Sequence, residues 1–238
     1  MALALPSQSR KTAPKRRTAV RKRGQGRPKD PKALVGRDAI INATRELLRH
    51  RPPSAVTRAD IARFAQVDPA LIRYYFGTTE ALLTAVASQI NSEMHARIRA
   101  AVKIAGSSEE KLRQRIRTFL AMHAENPHLN QLIVQKILGS RQREARLARA
   151  EMVKDSLRTL EDILIEGHRA GRLRAVDPRL LHIALIGMCD FFFTGRPVVD
   201  ELFPDADKRL LESYGEFLAD LILGGLAAPS KASTTGKR

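Results

Sequence analysis

The chain has 238 residues, a length that suits one or two domains, and 43% of them are apolar, enough to bury a core. Forty-two Lys and Arg against 25 Asp and Glu give a net charge of +17, and a single cysteine, Cys189, excludes an intrachain disulfide scaffold and fits a reducing compartment. Apolar runs of only a few residues exclude a bilayer-spanning helix, and Met1–Pro6 is too short and lacks the charged start of a signal peptide.

Residues 1–32 hold 11 Lys and Arg and one acid, Asp30, with no aromatic residue and with Pro6, Pro14, Pro28 and Pro31. Like charge and proline without apolar periodicity predict an arm that is disordered alone. Three roles compete for it. It can attract nucleic acid phosphates, act as an acid-poor transit peptide (which the prolines oppose), or serve as a solubilising or nuclear-import patch. A second short basic tail, 229–238, is expected at the other end, so most of the excess charge lies outside a nearly balanced body.

From Arg37 the body reads as helices throughout. Ile40, Ile41, Ala43, Leu47 and Leu48 recur with helical spacing up to Arg51, and Pro52-Pro53 stops them. Thr57 is an N-cap with Asp60 three residues on, ahead of Ile61, Ala62 and Ala65. Asp68 and Pro69 cap and start a third helix to about Phe76, and Gly77 suits its stop. Thr78 caps a long fourth helix to about Val102. Further helices are predicted at 109–125, 128–138, 141–170, 178–194 and 207–223, the long one with Leu147, Leu157, Leu160 and Leu164 inward. The predicted fold is all-α, with about nine helices.

Residues 57–76, TRADIARFAQVDPALIRYYF, form two short helices joined by a tight turn, the pattern of a helix-turn-helix. Its second helix exposes Ala70, Arg73, Tyr74 and Tyr75 and would fit a major groove. An ordinary helical corner gives the same pattern. Residues 37–86 add an Arg-led first helix, the VTxxxIAxxAxV stretch, the YYF block and the EALL lead-in to the fourth helix. Together these resemble the DNA-binding domain of the TetR family of bacterial transcriptional regulators.

The resemblance implies a homodimer on double-stranded DNA at a pseudo-palindromic operator, with a C-terminal domain that binds a small effector. Carried over by position, its DNA contacts fall on Thr57, Arg58, Pro69, Ala70, Arg73, Tyr75, Thr78 and Thr79, and the exposed Tyr74 joins them as a candidate. Leu71 and Arg73 stand where the family often has Thr and Tyr, and Thr79 replaces a frequent phosphate-binding Lys. The Thr78 helix start still offers backbone N–H groups to phosphate, and Arg73 gains the commonest reader of guanine. In the arm, KRGQGRPK at 22–29 resembles an AT-hook, with Arg23 and Arg27 directed at an A·T-rich minor groove and Gln25 where a second Arg is usual. Phosphate attraction alone explains those cations equally well.

No HExxH, CxxC, GxSxG, Walker or dinucleotide motif is present in the sequence, so an enzyme is not expected, nor a metal or cofactor. His123 and His128 with Cys189 could gather around a metal, but His123 in a core or pocket and His128 at the surface is the simpler reading. The run 180–193, LLHIALIGMCDFFF, is apolar nearly all round, so it is buried on several sides. A partner chain would cover one of them, with 207–223 completing the interface; a central helix of a monomer is the alternative. Asp190 inside that run needs a partner, across a dimer or on a ligand. Stripe position makes Met94, Phe119, Met122, His123 and Cys189 candidate effector contacts, each of which is equally well explained as plain core.

The expected organisation is an arm at 1–32, a DNA-binding domain at 33–80, a ligand-binding and dimerisation domain at 81–228 and a tail. The expected function is a cytoplasmic transcriptional repressor released from DNA by a largely hydrophobic effector. The competing reading is a basic architectural nucleic-acid binder on a dimeric helical scaffold.

Overall fold

The structure, a computed structural model, describes residues 31–207 and 209–228. The arm carrying Arg23 and Arg27, Lys208 and the tail at 229–238 lie outside the described residues. Among the described residues the fold is all-α, with ten α-helices.

Helix α1 (Pro31–His50) begins six residues before the expected start and buries Ile40, Ile41 and Leu48. Pro52 cannot continue it, and a 3₁₀ turn at Pro53–Ala55 leads on. Helices α2 (Arg58–Ala65) and α3 (Pro69–Phe76) follow, then α4 (Thr79–Ile104), whose cap Thr78 accepts a hydrogen bond from the Ala81 amide at 3.1 Å. Helix α5 (Ser108–Glu125) packs against α4.

The single helix expected at 128–138 is two pieces. One turn of α-helix, α6 (Leu129–Leu132), runs into six residues of π-helix, Ile133–Leu138. In α7 (Arg143–Arg169), Leu160 and Leu164 are buried and Leu157 half-buried, but Leu147 is 58% exposed, against expectation. Nine residues at about 100° each put Leu147 on the face opposite the buried Ser156.

Helix α8 (Pro178–Thr194) has the expected bounds. Helix α9 (Arg196–Leu202) was not expected after Gly195; Pro197 sits in its first turn, where a missing N–H costs nothing. Helix α10 (Arg209–Leu226) continues through Gly224-Gly225, which the sequence suggested as its end. Its C-terminus is tied to the loop after α7, where the Arg174 amide donates to the Leu226 carbonyl at 2.8 Å.

Two apolar cores result. The first joins α1, α2 and α3 to α4 and continues along α4 through Met94 and Ile98 to Met122, Leu129, Leu132 and Ile137. The second packs α5, α7, α8 and α10 around Leu112, Ile116, Leu160, Leu185 and Leu218. The long α4 therefore belongs to the short-helix end and reaches into the larger bundle.

Candidate DNA interface and effector cavity

The helix-turn-helix is built by short-range chemistry. The Asp60 amide donates to the Thr57 hydroxyl at 3.2 Å and the Thr57 amide donates to Asp60 Oδ2 at 3.2 Å, a closed capping box. The Thr57 hydroxyl also donates to Asp60 Oδ2 at 2.7 Å. These two Thr57 bonds, with Arg51 and Arg63 nearby, hold the Asp60 carboxyl below its ordinary pKa. Gln66 turns the chain at φ 54°, a left-handed conformation in a residue that is not glycine. Asp68 then caps α3 through the Ala70 amide at 2.7 Å, and Gly77 (φ 71°) ends it.

On α3, Ile72 is buried and Leu71 half-buried against the core, so Pro69, Ala70, Arg73 and Tyr74 face solvent together. Thr57 and Thr78 are exposed, and Arg58 and Thr79 are half-buried. Tyr75 is also half-buried; its ring lies over Gly36 of α1 and edge-on to Tyr74 at 5.1 Å. A side chain at position 36 would touch the Tyr75 hydroxyl. The candidate contacts thus form one exposed surface, with Tyr75 at its inner margin.

A cavity of about 400 Å³ lies in the larger bundle between α4, α5, the π-helical segment, α7 and α8. Met94, Phe119 and His123 line it, as the sequence suggested. Met122 and Cys189 do not. Met122 turns fully into the first core, and Cys189 is packed in the second, where burial pushes its thiol up to about 12. Each lies next to a wall residue in sequence, but adjacent helical residues point about 100° apart, which takes them off the wall.

The polar part of the wall was largely missed. Asn91 and His95 reach it from α4, Ser156 from α7, and His182 and Asp190 from α8. Only Asp190 was singled out from the sequence. Asn91, Met94 and His95 share the i, i+3, i+4 spacing of one helix face, which was the available signal. Burial pushes both His95 and His182 down to about 4, with the Arg115 guanidinium adding to the effect, so both rings are neutral at pH 7. The Asp190 carboxyl is pushed up to about 6 by burial. On the far side of His123, a wider groove of about 640 Å³ runs past Phe192, Phe193, Arg196 and Leu210.

Residues 40–86 match the family described as bacterial regulatory proteins, tetR family, and residues 105–232 match the tetracyclin repressor-like C-terminal domain. The second match alone covers more than half of the chain. The chain belongs to the TetR family of transcriptional regulators. It is a DNA-binding regulator and not an enzyme.

Among similar proteins, the HTH-type transcriptional regulator BetI of Rhizobium meliloti is 34% identical over 90 residues. That match takes in 38% of this TetR regulator and 44% of BetI, so the chain spans less than half the length of that relative. Two solved structures share the fold over 79% of this chain and 98% of their own. They are FadR from Bacillus subtilis in complex with stearoyl-CoA, at 24% identity and TM-score 0.63, and FadR from Bacillus halodurans, at 25% and 0.62. Among the described residues of this TetR regulator, no helix is long and apolar enough to cross a membrane, and no three His, Cys, Asp or Glu gather as metal ligands.

Proposed function

We propose that the protein is a homodimeric repressor that releases a pseudo-palindromic operator when a small, largely hydrophobic effector fills the cavity between α4, α5, α7 and α8. The observation that carries this reading is the double membership of α4. Its first turns pack Leu82, Leu83 and Val86 into the core beneath α2 and α3, while Asn91, Met94 and His95 on the same rigid rod form cavity wall. A ligand that shifts α4 necessarily changes the spacing of the helices that meet DNA.

DNA recognition rests on Thr57, Arg58, Pro69, Ala70, Arg73, Tyr74, Tyr75, Thr78 and Thr79, with Arg73 at base edges and the Thr78 helix start on phosphate. Two such motifs in a dimer read half-sites one or more helical turns apart. Apolar side chains left in solvent support the dimer: Leu180, Ile183 and Phe191 on α8, and Phe217 and Leu221 on α10. The arm, with Arg23 and Arg27, adds affinity from the minor groove or the phosphates. Residues 33–80 serve as the DNA-binding unit and 81–228 as the ligand and dimer unit, in the bacterial cytoplasm. An apolar lining with few polar groups favours a largely hydrophobic ligand, and FadR from Bacillus subtilis, of the same fold, is in complex with stearoyl-CoA.

Selection of bound genomic fragments at physiological salt, followed by a screen for compounds that release them, tests the proposal. A single pseudo-palindrome bound about 10³-fold above random DNA and released by an apolar compound is the expected result. Sequence-indifferent binding would instead favour the architectural reading.

A further inference from the structure

Behind one end of the cavity, in a narrow cleft, Arg115 carries a charge that has no counter-ion among the described residues. Arg115 of α5 is 5% exposed, and among the described residues no carboxylate is paired with it. Its Nη2 donates to the Ser156 hydroxyl at 2.9 Å, whereas its Nη1 is buried and has no hydrogen-bond partner among them. Burial pushes Arg115 down to about 10, so it stays charged at neutral pH. A buried guanidinium with one neutral partner is costly unless an anion joins it.

Neutral polar groups lie between it and the cavity. Ser156 Oγ lies 3.2 Å from Nδ1 of His182. That oxygen accepts from Arg115 and has both a hydrogen and a second lone pair left for Nδ1, and the neutral His182 ring carries a single proton. His95, 2% exposed and on the cavity wall, has both ring nitrogens without a partner among the described residues, and one of them bears a proton. Arg115 stands behind Ser156 in a narrow cleft that shares Phe119 and Ile186 with the cavity. Asp155, beside Ser156, approaches Arg99 at 4.0 Å and leaves the guanidinium free. Asp190 lies eight residues along α8 from His182, about 12 Å away, and repels an anion from the opposite end.

We propose that the cavity takes an amphipathic monocarboxylic acid, its carboxylate at the end lined by His95, Ser156 and His182, drawn by the Arg115 charge behind Ser156, and its apolar body between Met94, Phe119 and Ile186. A buried positive charge behind neutral polar groups favours a carboxylate over a hydroxyl or a thioester, because only the carboxylate supplies the negative charge. The tail then runs toward the exposed apolar mouth formed by Val134 and Leu138. This inference rests on the reading of the cavity as the effector site.

Calorimetric titration of the full chain at pH 7.5 with hexanoate, decanoate and tetradecanoate, with the matching primary alcohols and with decanoyl-CoA, tests it. At least one acid binds, and binds tenfold or more tighter than its alcohol; decanoyl-CoA binds no tighter than decanoate. Arg115→Met abolishes the preference for acid and leaves alcohol binding in place. Ser156→Ala, which takes away the hydroxyl partner of Arg115 and so lowers the melting temperature modestly, reduces the preference several-fold and carries the test if Arg115→Met does not fold. Failure of every acid to bind, an alcohol or the thioester binding as tightly as the acid, or a preference untouched by Ser156→Ala would each overturn the proposal. An acid that binds without releasing DNA would sink the effector reading alone. Release of DNA by a different, uncharged compound, with no acid bound, would sink this inference alone.

Discussion

Nε2 of His123 lies 3.4 Å from Oδ1 of Asp190, while Nδ1 of the same ring lies 3.0 Å from the carbonyl oxygen of Phe119. A carbonyl only accepts, so the proton of the neutral ring is on Nδ1 and Nε2 presents a lone pair to the carboxylate. Two acceptors face each other, and burial pushes both groups toward neutrality, His123 down and Asp190 up to about 6. Below about pH 6 a proton on Asp190, donated to Nε2, resolves the conflict; above it the carboxylate and the lone pair oppose each other.

Asp190→Asn tests that relationship by placing an amide donor against Nε2. A carboxyl whose folded pKa is raised, here to about 6 from 3.8, contributes stability below 3.8 that is lost as pH rises through 6. The variant is therefore expected to be more stable than the parent at pH 7.5, on the order of 2 kcal/mol. That gain shrinks as pH falls toward 4. His95 and His182, held near 4, act the other way, since their contribution is present above 6.5 and lost as pH falls through 4. Because both proteins carry these rings, the difference between their thermal melts at each pH isolates Asp190.

Arg73 stands exposed on α3 with Ile72 turned into the core beside it. Arg73→Ala is expected to cost about 1–3 kcal/mol in operator binding and to relax preference at one position of each half-site. Binding to a library of single-base operator variants reads this directly. Uniform weakening across the library would reassign Arg73 to a phosphate.

Charge reversal of the apolar surface separates association from folding only if the right phenylalanine is chosen. Phe192, which the sequence offered equally, is 5% exposed and stacked on Tyr214 at 4.7 Å, so Phe192→Arg breaks the chain's own core. Phe217 is 60% exposed. Phe217→Arg is expected to give a folded monomer by light scattering, with melting shifted far less than by Phe192→Arg. A parent chain that is monomeric at micromolar concentration would refute the dimer.

Gly167 of α7 lies where a Cβ would fall 2.6 Å from Leu173 Cγ and 2.8 Å from Ser108 Oγ. The Leu173 and Ser108 side chains have to shift to admit even a methyl group. Gly167→Ala is expected to destabilise by about 1–3 kcal/mol in chemical denaturation, without changing the DNA surface.

Helix α1 begins at Pro31, so removal of residues 1–30 leaves its start in place. The truncated chain is expected to bind operator more weakly, with a salt dependence flatter by about 0.9 in log–log slope for each DNA phosphate that the arm no longer neutralises. Arg27→Ala distinguishes groove from phosphate. A loss confined to operators with A·T flanks marks minor-groove insertion, and a flank-independent loss equal to that of Arg16→Ala marks simple attraction.

The amino-acid sequence by itself determined the all-α class and the helix-turn-helix, because the signals there are local. Thr57 finds Asp60 three residues away, Asp68 finds the Ala70 amide two residues away, and Gly77 supplies a stop at positive φ. Nothing beyond one or two turns of chain is needed to place Arg73 outward. The cavity's chemistry was decided by tertiary structure. Arg115, Ser156 and His182 come from three helices, separated by 41 and 26 residues, and each alone reads as an ordinary polar residue on a helix. Periodicity tells which face of a helix is buried but not which face of which neighbour it meets. That is why Met122 and Cys189 fell on the core side of their helices while His95 and Asp190 faced the cavity. It is also why Phe192 is covered by Tyr214 of its own chain and Phe191, one residue earlier and about 100° round the helix, is left in solvent.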